Sequence, residues 1–281
     1  MVKRSSTAVL SDRTVRAIRN GVDAGGNVVF VTGAGISAES GIGTYRGEDG
    51  LWTIGGASAM SKGTLAYFAR YPEESWRWHL AQRAHVVEAE PNAAHHALAQ
   101  AEEVLGDRFV LITQNIDLLH IRAGNSEERT IEVHGHYQGM RCTAECPGIL
   151  PVPPTLEDWG EGSDWESLRD LLECPQCGSA TRPHVLWFDE FYDEEHYRMY
   201  TAGGLAARAS LCVTVGCSGG VPLASRMAGI AAKAGAVVID VNPTDGELRR
   251  LAKLPVHGGA VEAPASVAVP ALVDQIVEVL A

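Results

Sequence analysis

Four cysteines are spaced as a metal site requires. Cys142-x3-Cys146 and Cys174-x2-Cys177 form two pairs separated by 27 residues. Four thiolates suit tetrahedral zinc, and sites with four protein ligands are usually structural. We therefore predict that these four cysteines bind one structural zinc ion. The two histidines just upstream are left out of the ligand set, because four cysteines already complete it.

A glycine-rich run follows the first strongly apolar segment of the chain. Residues Gly33 to Ala38 read G-A-G-I-S-A directly after Val28–Thr32, which fits the G-x-G-x-x-A turn that lets backbone N–H groups approach a pyrophosphate. A dehydrogenase with this turn also carries an acidic residue about 20 residues later. That region here is the neutral run Gly50–Gly56. The sequence favours nucleotide binding and disfavours hydride transfer.

Small and polar residues also follow the other apolar runs. The ends read T-Q-N-I-D, V-H-G, V-G-C-S and D-V-N-P. In open parallel sheets, ligands bind at the carboxyl ends of the strands, so we predict one shared site there. His134, of V-H-G, is the candidate general base because imidazole titrates near neutral pH. The amide of Asn115 can orient a water or a ribose hydroxyl.

Short β-branched runs and helical patterns alternate along the chain, which predicts an α/β fold with a buried parallel sheet. The predicted strands are Val28–Thr32, Phe109–Thr113, Thr130–Val133, Leu211–Val215 and Ala236–Val241. The predicted helices are Thr14–Ala24, His95–Val104, Val221–Ala234 and Ala271–Leu280. Two stretches break this rhythm and are interpreted as insertions: Tyr45–Pro91, a loop followed by short helices, and His136–Pro183, which holds the four cysteines.

Composition narrows the classes of partner. The net charge is −12 and there is no basic stripe, so we expect no direct contact with nucleic acid. The sequence has no run of about 18 apolar residues, so we expect no membrane span. The N-terminal residues carry Lys3 and Arg4 without an apolar segment behind them, which is unlike a secretory signal. We expect a cytoplasmic protein whose paired cysteines bind metal; the oligomeric state stays open.

Taken together, these motifs resemble the sirtuin family of NAD-dependent protein-lysine deacylases. The resemblance covers roughly residues 27–280. It is closest to the bacterial Thr-type, desuccinylase-like branch. The residues and motifs that carry it, in chain order, are Gly33–Ile42, Tyr45-Arg46-Gly47, Thr113–His120, Val133-His134-Gly135, the four cysteines, Gly216-Cys217-Ser218 and Val241-Asn242.

The resemblance implies a Rossmann-like parallel sheet domain with a small inserted zinc-binding and helical domain. The large domain would comprise residues 1–44, 92–135 and 184–281. The helical insertion would be 45–91 and the zinc-binding module 136–183. NAD and an acyl-lysine peptide would meet between the two parts.

Site residues carry over from the resemblance position by position. His134 and Asn115 would be catalytic. The residues that would bind NAD are Gly33, Ala34, Gly35, Ser37, Tyr45, Arg46, Trp52, Gln114, Asn115, Asp117, Gly216, Ser218, Asn242 and Ala265. The residues that would contact the acylated substrate are His79, Gln82, Val185, Phe188, Gly219 and Val221. The products would be nicotinamide, free lysine and O-acyl-ADP-ribose.

The chain departs from its branch at the acyl pocket. Thr44 matches the branch that removes acidic acyl groups, but the Tyr-x-x-Arg of that branch is missing. His79 and Gln82 stand in its place, and Arg83 is one position out of register. We therefore expect a neutral acyl pocket. Two rival activities stay open: ADP-ribosyl transfer to protein or NAD hydrolysis in the same cleft, and a non-enzymatic NAD-sensing or scaffold role.

Overall fold

A six-stranded parallel sheet forms the main body of the protein. The structure is a computed structural model that describes residues 10–43, 61–156, 164–253 and 258–281. The strand order is β3-β2-β1-β7-β8-β9, so the chain moves outward in both directions from β1. These strands are β1 (Asn27–Thr32), β2 (Phe109–Thr113), β3 (Thr130–Glu132), β7 (Ala209–Val215), β8 (Val237–Val241) and β9 (Gly259–Val261).

The described helices cover both faces of this sheet or belong to a smaller unit. They are α1 (Asp12–Asp23), α2 (Leu65–Arg70), α3 (Pro72–Glu88), α4 (Ala93–Leu105), α5 (Leu119–Ala123), α6 (Trp165–Leu171), α7 (Met199–Ala206), α8 (Pro222–Lys233), α9 (Glu247–Lys253) and α10 (Ala265–Leu280).

The central strand shows why the sheet is buried on both sides. Val28 and Phe30 of β1 pack into one apolar cluster with α1, α4 and α10. Val29 and Val31 point the other way, into a second cluster with α7, α8 and α9. A strand buried on both faces reads as a continuous apolar run, as β1 does. Each such side chain contributes about 1.5–3 kcal/mol when fully buried.

A capping residue connects helix α4 to the glycine turn. The Oδ1 atom of Asn92 accepts the N–H of Ala94 at 2.9 Å, and the Asn92 N–H donates to Nδ1 of His95 at 3.2 Å. The amide nitrogen of Asn92 also donates to the carbonyl of Ile36 at 2.8 Å. The same side chain therefore begins α4 and holds the loop that follows β1.

A second, antiparallel sheet lies beside the first, in the order β5-β4-β6. Its strands are β4 (Gly135–Cys142), β5 (Leu150–Pro151) and β6 (Thr181–Val185). A third apolar cluster joins this sheet to α3 and α6, with Trp76 and Leu168 among its buried members. The indole N–H of Trp76 donates to the Thr181 carbonyl at 3.1 Å and fixes α3 on the sheet.

The α/β class and all five predicted strands are confirmed, with no end shifted by more than two residues. The description of Tyr45–Pro91 as a loop with only short helices was wrong, because α3 alone has 17 residues. The three-residue strand β9 and the short helices α7 and α9 were not predicted. Among the described residues, no helix is both long and apolar enough to cross a membrane.

Candidate active site

The glycine turn is packed against the loop after β7. The N–H of Gly33 donates to the carbonyl of Val215, and that of Gly35 to the carbonyl of Gly216, both at 3.0 Å. A Cβ on Gly35 would lie 2.7 Å from the Cα of Gly216. Gly216 itself has a φ of 62°, and a Cβ there would lie 2.4 Å from the Ile36 nitrogen. Only glycine fits at either position.

A buried polar cluster lies directly beside this turn. The Asn115 amide donates to the carbonyl of Gly33 at 3.2 Å and to the Ser37 hydroxyl at 3.1 Å. The Ser37 hydroxyl donates in turn to Oδ2 of Asp117 at 2.6 Å. The other carboxylate oxygen accepts the N–H of Leu119 at 3.0 Å. The structure thus brings together residues from the ends of β1 and β2 that the sequence placed in one pocket.

Burial decides the electrostatics of this cluster. It raises the pKa of Asp117, and the hydrogen bond from Ser37 opposes that rise. Behind Ser37, Nδ1 of His95 accepts the Asn92 N–H, so Nε2 holds the proton and faces the Ser37 hydroxyl at 3.5 Å. Burial lowers the pKa of His95 to about 4, so its ring is neutral. Sequence reasoning missed His95, because nothing in its spacing marks it.

His134 has one defined tautomer. Its Nδ1 lies 2.7 Å from the Gln114 carbonyl, which can only accept, so Nδ1 carries the proton and Nε2 the lone pair. Burial lowers the pKa of His134 to about 4, against the opposing effect of that hydrogen bond. Gly135 then turns the chain with a φ of 73°, and a Cβ there would lie 2.0 Å from the His184 carbonyl. The steric contact with the His184 carbonyl therefore requires glycine directly after His134 in the V-H-G motif.

The Nε2 lone pair of His134 is not open to solvent. It accepts the hydroxyl of Tyr192 at 2.9 Å, and the two rings stack with centroids 5.8 Å apart. Tyr192 lies in the loop between β6 and α7. Sequence reasoning missed this residue; its position within the aromatic and acidic run Phe188–Tyr197 was the available signal.

The ends of β7 and β8 provide the other side of the crevice. The Asn242 amide donates to the carbonyl of Cys217 at 2.9 Å, and the Gly216 N–H donates to the carbonyl of Val241 at 3.0 Å. Ser218 is exposed and Ala265 is buried at the start of α10. These four predicted NAD contacts therefore lie along the sheet edge that continues from the glycine turn.

The predicted substrate residues fall into two groups. Val185 is buried in β6, Phe188 is 54% exposed, Gly219 has a φ of 75°, and Val221 is half-buried before α8. His79 and Gln82 belong to α3, where His79 is buried with its ring centroid 4.8 Å from that of Tyr137, and Gln82 is half-buried. Thr44, Tyr45, Arg46 and Trp52 lie outside the described residues.

The four predicted cysteine ligands converge. Their sulfur atoms all lie within 4.8 Å of one another, and Sγ of Cys142 also accepts the Ala144 N–H at 3.3 Å. Hydrogen bonds from Ser179 lower the pKa of Cys177 and favour its thiolate, whereas the hydrogen bond with Cys177 raises the pKa of Cys146. Four soft donors at this separation fit tetrahedral zinc. Cys217 is instead buried against the Val31 carbonyl, as a lining residue.

Comparisons with known proteins identify the class. The Sir2 family model matches residues 33–222, which is more than half of the chain. The chain therefore belongs to the Sir2 family.

Individual relatives agree with this assignment. An NAD-dependent protein deacylase of Thermus thermophilus is 37% identical over 251 residues, 88% of this chain and 91% of that protein. One from Pyrococcus furiosus is 36% identical, over 88% and 92%. A crystal structure of a Sir2 homologue with NAD superposes with a TM-score of 0.76 at 30% identity, over 99% and 98%. A Sir2 variant with deacetylated p53 peptide and an acetyl ADP-ribose gives 0.71 at 26%, over 94% and 98%.

The first prediction concerns the contact between the two strand-end turns. Gly35→Ala should lower the free energy of unfolding by about 1–3 kcal/mol, because the new methyl group meets backbone that cannot move aside. Gly204→Ala is the matched control, since a Cβ there meets nothing within 4 Å and the residue lies in helix α7. Urea unfolding measures both, and equal stability of the two variants would contradict the argument.

The second prediction concerns the cysteine site. Elemental analysis should find one zinc per chain, and Cys174→Ala should lose the metal and destabilise the small sheet, because binding and folding of such a site are coupled. Cys212→Ala is the control, since that thiol is buried in β7 away from the cluster. A metal-free protein that stays folded and active would rule out a structural zinc.

Proposed function

We propose that this chain is an NAD-dependent protein-lysine deacylase. The observation that carries the proposal is His134: a Sir2-family chain holds one neutral histidine, in one tautomer, at the same sheet edge as the glycine turn and the Asn115–Asp117 cluster. A neutral imidazole with a fixed lone pair is what a general base requires. The relatives named as NAD-dependent protein deacylases support the same activity.

The residues present fit NAD. Gly33, Ala34 and Gly35 put no side chain larger than a methyl group over the turn, so a pyrophosphate can approach the backbone. Asn115 and Asp117 offer an amide and a carboxyl group to the ribose and the carboxamide. Ser218 and Asn242 lie on the adenosine side. Bound NAD would supply a ribose carbon that gives up nicotinamide and accepts the acyl oxygen.

The chain's own chemistry is proton transfer and positioning. The Gln114 carbonyl holds the Nδ1 proton of His134, which leaves Nε2 as the atom that removes a proton from a ribose hydroxyl. The Gly33 carbonyl and the Ser37 hydroxyl accept the Asn115 amide, and Asp117 holds that hydroxyl in turn, so the orientation of the Asn115 side chain is fixed before ligand binds. Fixed orientation of the reacting groups is itself a major part of such catalysis.

The substrate class follows from the family and from the loop after β6. We propose acyl-lysine side chains of proteins or peptides, entering past Phe188 and Val221. A relative bound to a deacetylated peptide supports this choice. The rival outcome is ADP-ribosyl transfer to protein or NAD hydrolysis, and product mass spectrometry separates them: O-acyl-ADP-ribose supports deacylation, whereas modified protein or free ADP-ribose supports a rival.

The third prediction tests the base. His134→Ala should lower deacylation by about 10²–10⁴-fold, the usual contribution of a positioned base. NAD binding, measured by calorimetry, and the unfolding midpoint should change little, since the ring is only half-buried. His196→Ala is a suitable control, because that histidine pairs with Asp193 rather than with the strand-end cluster. If the activity of His134→Ala is within a few fold of the parent, His134 is not the general base.

The fourth prediction concerns the acyl group. Burial lowers the pKa of His79 to about 3, so its ring is neutral, and Gln82 offers only neutral donors. An unpaired carboxylate entering such a pocket loses several kcal/mol of hydration. We therefore expect acetyl and butyryl peptides to have higher kcat/KM than the succinyl peptide.

The same experiment tests whether Arg83 binds an acidic acyl group. Arg83 is buried on the same helix as His79, and a guanidinium there could receive an acidic acyl group. The three peptides are therefore compared in the wild type, in Arg83→Ala and in the control Arg77→Ala, whose guanidinium on the same helix pairs with Glu73. If succinyl is the best substrate and only Arg83→Ala abolishes it, the neutral-pocket proposal is wrong and Arg83 is the anion anchor.

A further inference from the structure

We propose that Arg249 is a positioning residue for the adenosine half of NAD, because its guanidinium joins the two loops that enclose that half of the cofactor. The loops follow β8 and β9 and carry the predicted NAD contacts Asn242 and Ala265. Arg249 acts through these loops. The inference rests on the NAD-dependent function proposed above, and it gives a role to a buried charge that lies outside the predicted contacts.

The topology of the sheet brings both loops to the cofactor. From the strand that precedes the glycine turn, the parallel strands run in the order β1-β7-β8-β9. Their carboxyl ends therefore lie along one edge, where open parallel sheets bind ligands. Asn115 and Asp117, which face the ribose and the carboxamide, lie on the other side of the turn, at the end of β2. The ends of β8 and β9 are thus left for the adenosine.

The side chain of Arg249 is 5% exposed, so its charge must be paired within the protein. Its Nη2 donates to the backbone carbonyl of Asn242 at 2.5 Å, and its Nη1 donates to Oε2 of Glu262 at 2.9 Å. Carboxylate oxygens of Asp240 and Asp245 lie 4.0 and 3.7 Å from its Nε. One guanidinium on α9 therefore joins the loop after β8 to the residue that follows β9.

The bond from Arg249 completes the anchoring of Asn242. The backbone N–H of Asn242 donates to the carbonyl of Val261 at 3.1 Å, and its side-chain amide donates to the carbonyl of Cys217 at 2.9 Å. Its carbonyl oxygen is held by the guanidinium, which makes the charge-assisted bond of the three. Loss of Arg249 therefore frees one side of this residue while the sheet beneath it stays paired.

The segment that carries Ala265 is held from both sides. Before it, Glu262 accepts Nη1 of Arg249. After it, the N–H of Ser266 donates at 2.8 Å to Oε2 of Glu39, which lies in the loop that follows the glycine turn. Arg249 and Glu39 thus connect the start of α10 to the two ends of the adenosine side. A binding surface fixed in this way loses less entropy when the ligand binds.

The test begins with binding, which needs no turnover. Arg249→Met should raise the Kd of ADP-ribose in calorimetry by about tenfold, equivalent to the loss of one charge-assisted hydrogen bond. In kinetics, the KM for NAD should rise while kcat at saturating NAD stays within about twofold, because His134 and its partners are untouched. Arg250→Met is the matched control, since Arg250 is exposed on the same helix, and it should change neither value.

Two further variants separate positioning from stability. Burial raises the pKa of Asp240, and both the Thr214 hydroxyl and Arg249 oppose that rise, so Arg249→Met leaves a buried carboxyl group without its cation. Arg249→Met/Asp240→Asn removes this carboxyl group, so its unfolding midpoint should recover towards the wild type while the Kd of ADP-ribose stays raised. Arg249→Lys should have an intermediate Kd, because one ammonium group lacks the two-pronged geometry that reaches both loops.

Three outcomes overturn the proposal. The first is an unchanged Kd of ADP-ribose in Arg249→Met. The second is a Kd that recovers together with the midpoint in Arg249→Met/Asp240→Asn, which would make the role of Arg249 purely structural. The third is a fall in kcat with no change in KM. A wild type that binds ADP-ribose but forms no acyl-ADP-ribose would instead contradict the deacylase function, so the two failures are distinct.

Discussion

The backbone contact between Gly35 and Gly216 is the constraint on which the site depends. It joins the turns after β1 and β7, the neighbouring strands where the order of the sheet reverses. A crevice opens at such a reversal, because the following connections leave on opposite faces. Asn115 reaches the Gly33 carbonyl only because the turn is drawn in, and Ser37 and Asp117 follow from that position. The contact between Gly35 and Gly216 thus fixes the arrangement of the Asn115, Ser37 and Asp117 side chains.

Burial without compensating charge gives the site its chemical character. The pKa values of His95, His120 and His134 are all lowered by loss of water, so each ring is a neutral donor and acceptor. The pKa of Asp117 moves the other way for the same reason. A neutral hydrogen-bond network keeps one proton arrangement across the physiological range, which suits a base that must be unprotonated when substrate arrives.

Much of the fold and of the candidate site could be predicted from the sequence, because the patterns that indicate them are local in the chain. The run Val28–Thr32 and its turn are contiguous, and the cysteine pairs are recognised by spacing alone. The three residues of β9 and the glycine-containing α7 carry too little periodicity to be predicted. Tyr192 and His95 were missed for a different reason: each matters through a contact with a distant residue, which spacing along the chain does not record. For Tyr192 the aromatic and acidic run Phe188–Tyr197 was the available signal, but it does not identify the partner.

Asp189 gives the loop after β6 a consequence beyond the site. Its two carboxylate oxygens accept the N–H groups of Leu65 and Ala66 at 2.6 and 3.0 Å. The aspartate thereby completes the first turn of α2 from 123 residues away in the chain. The loop and the helix therefore depend on each other: a chimaera that exchanges one without the other loses both Asp189 hydrogen bonds and leaves the capping of α2 to the Thr64 hydroxyl alone.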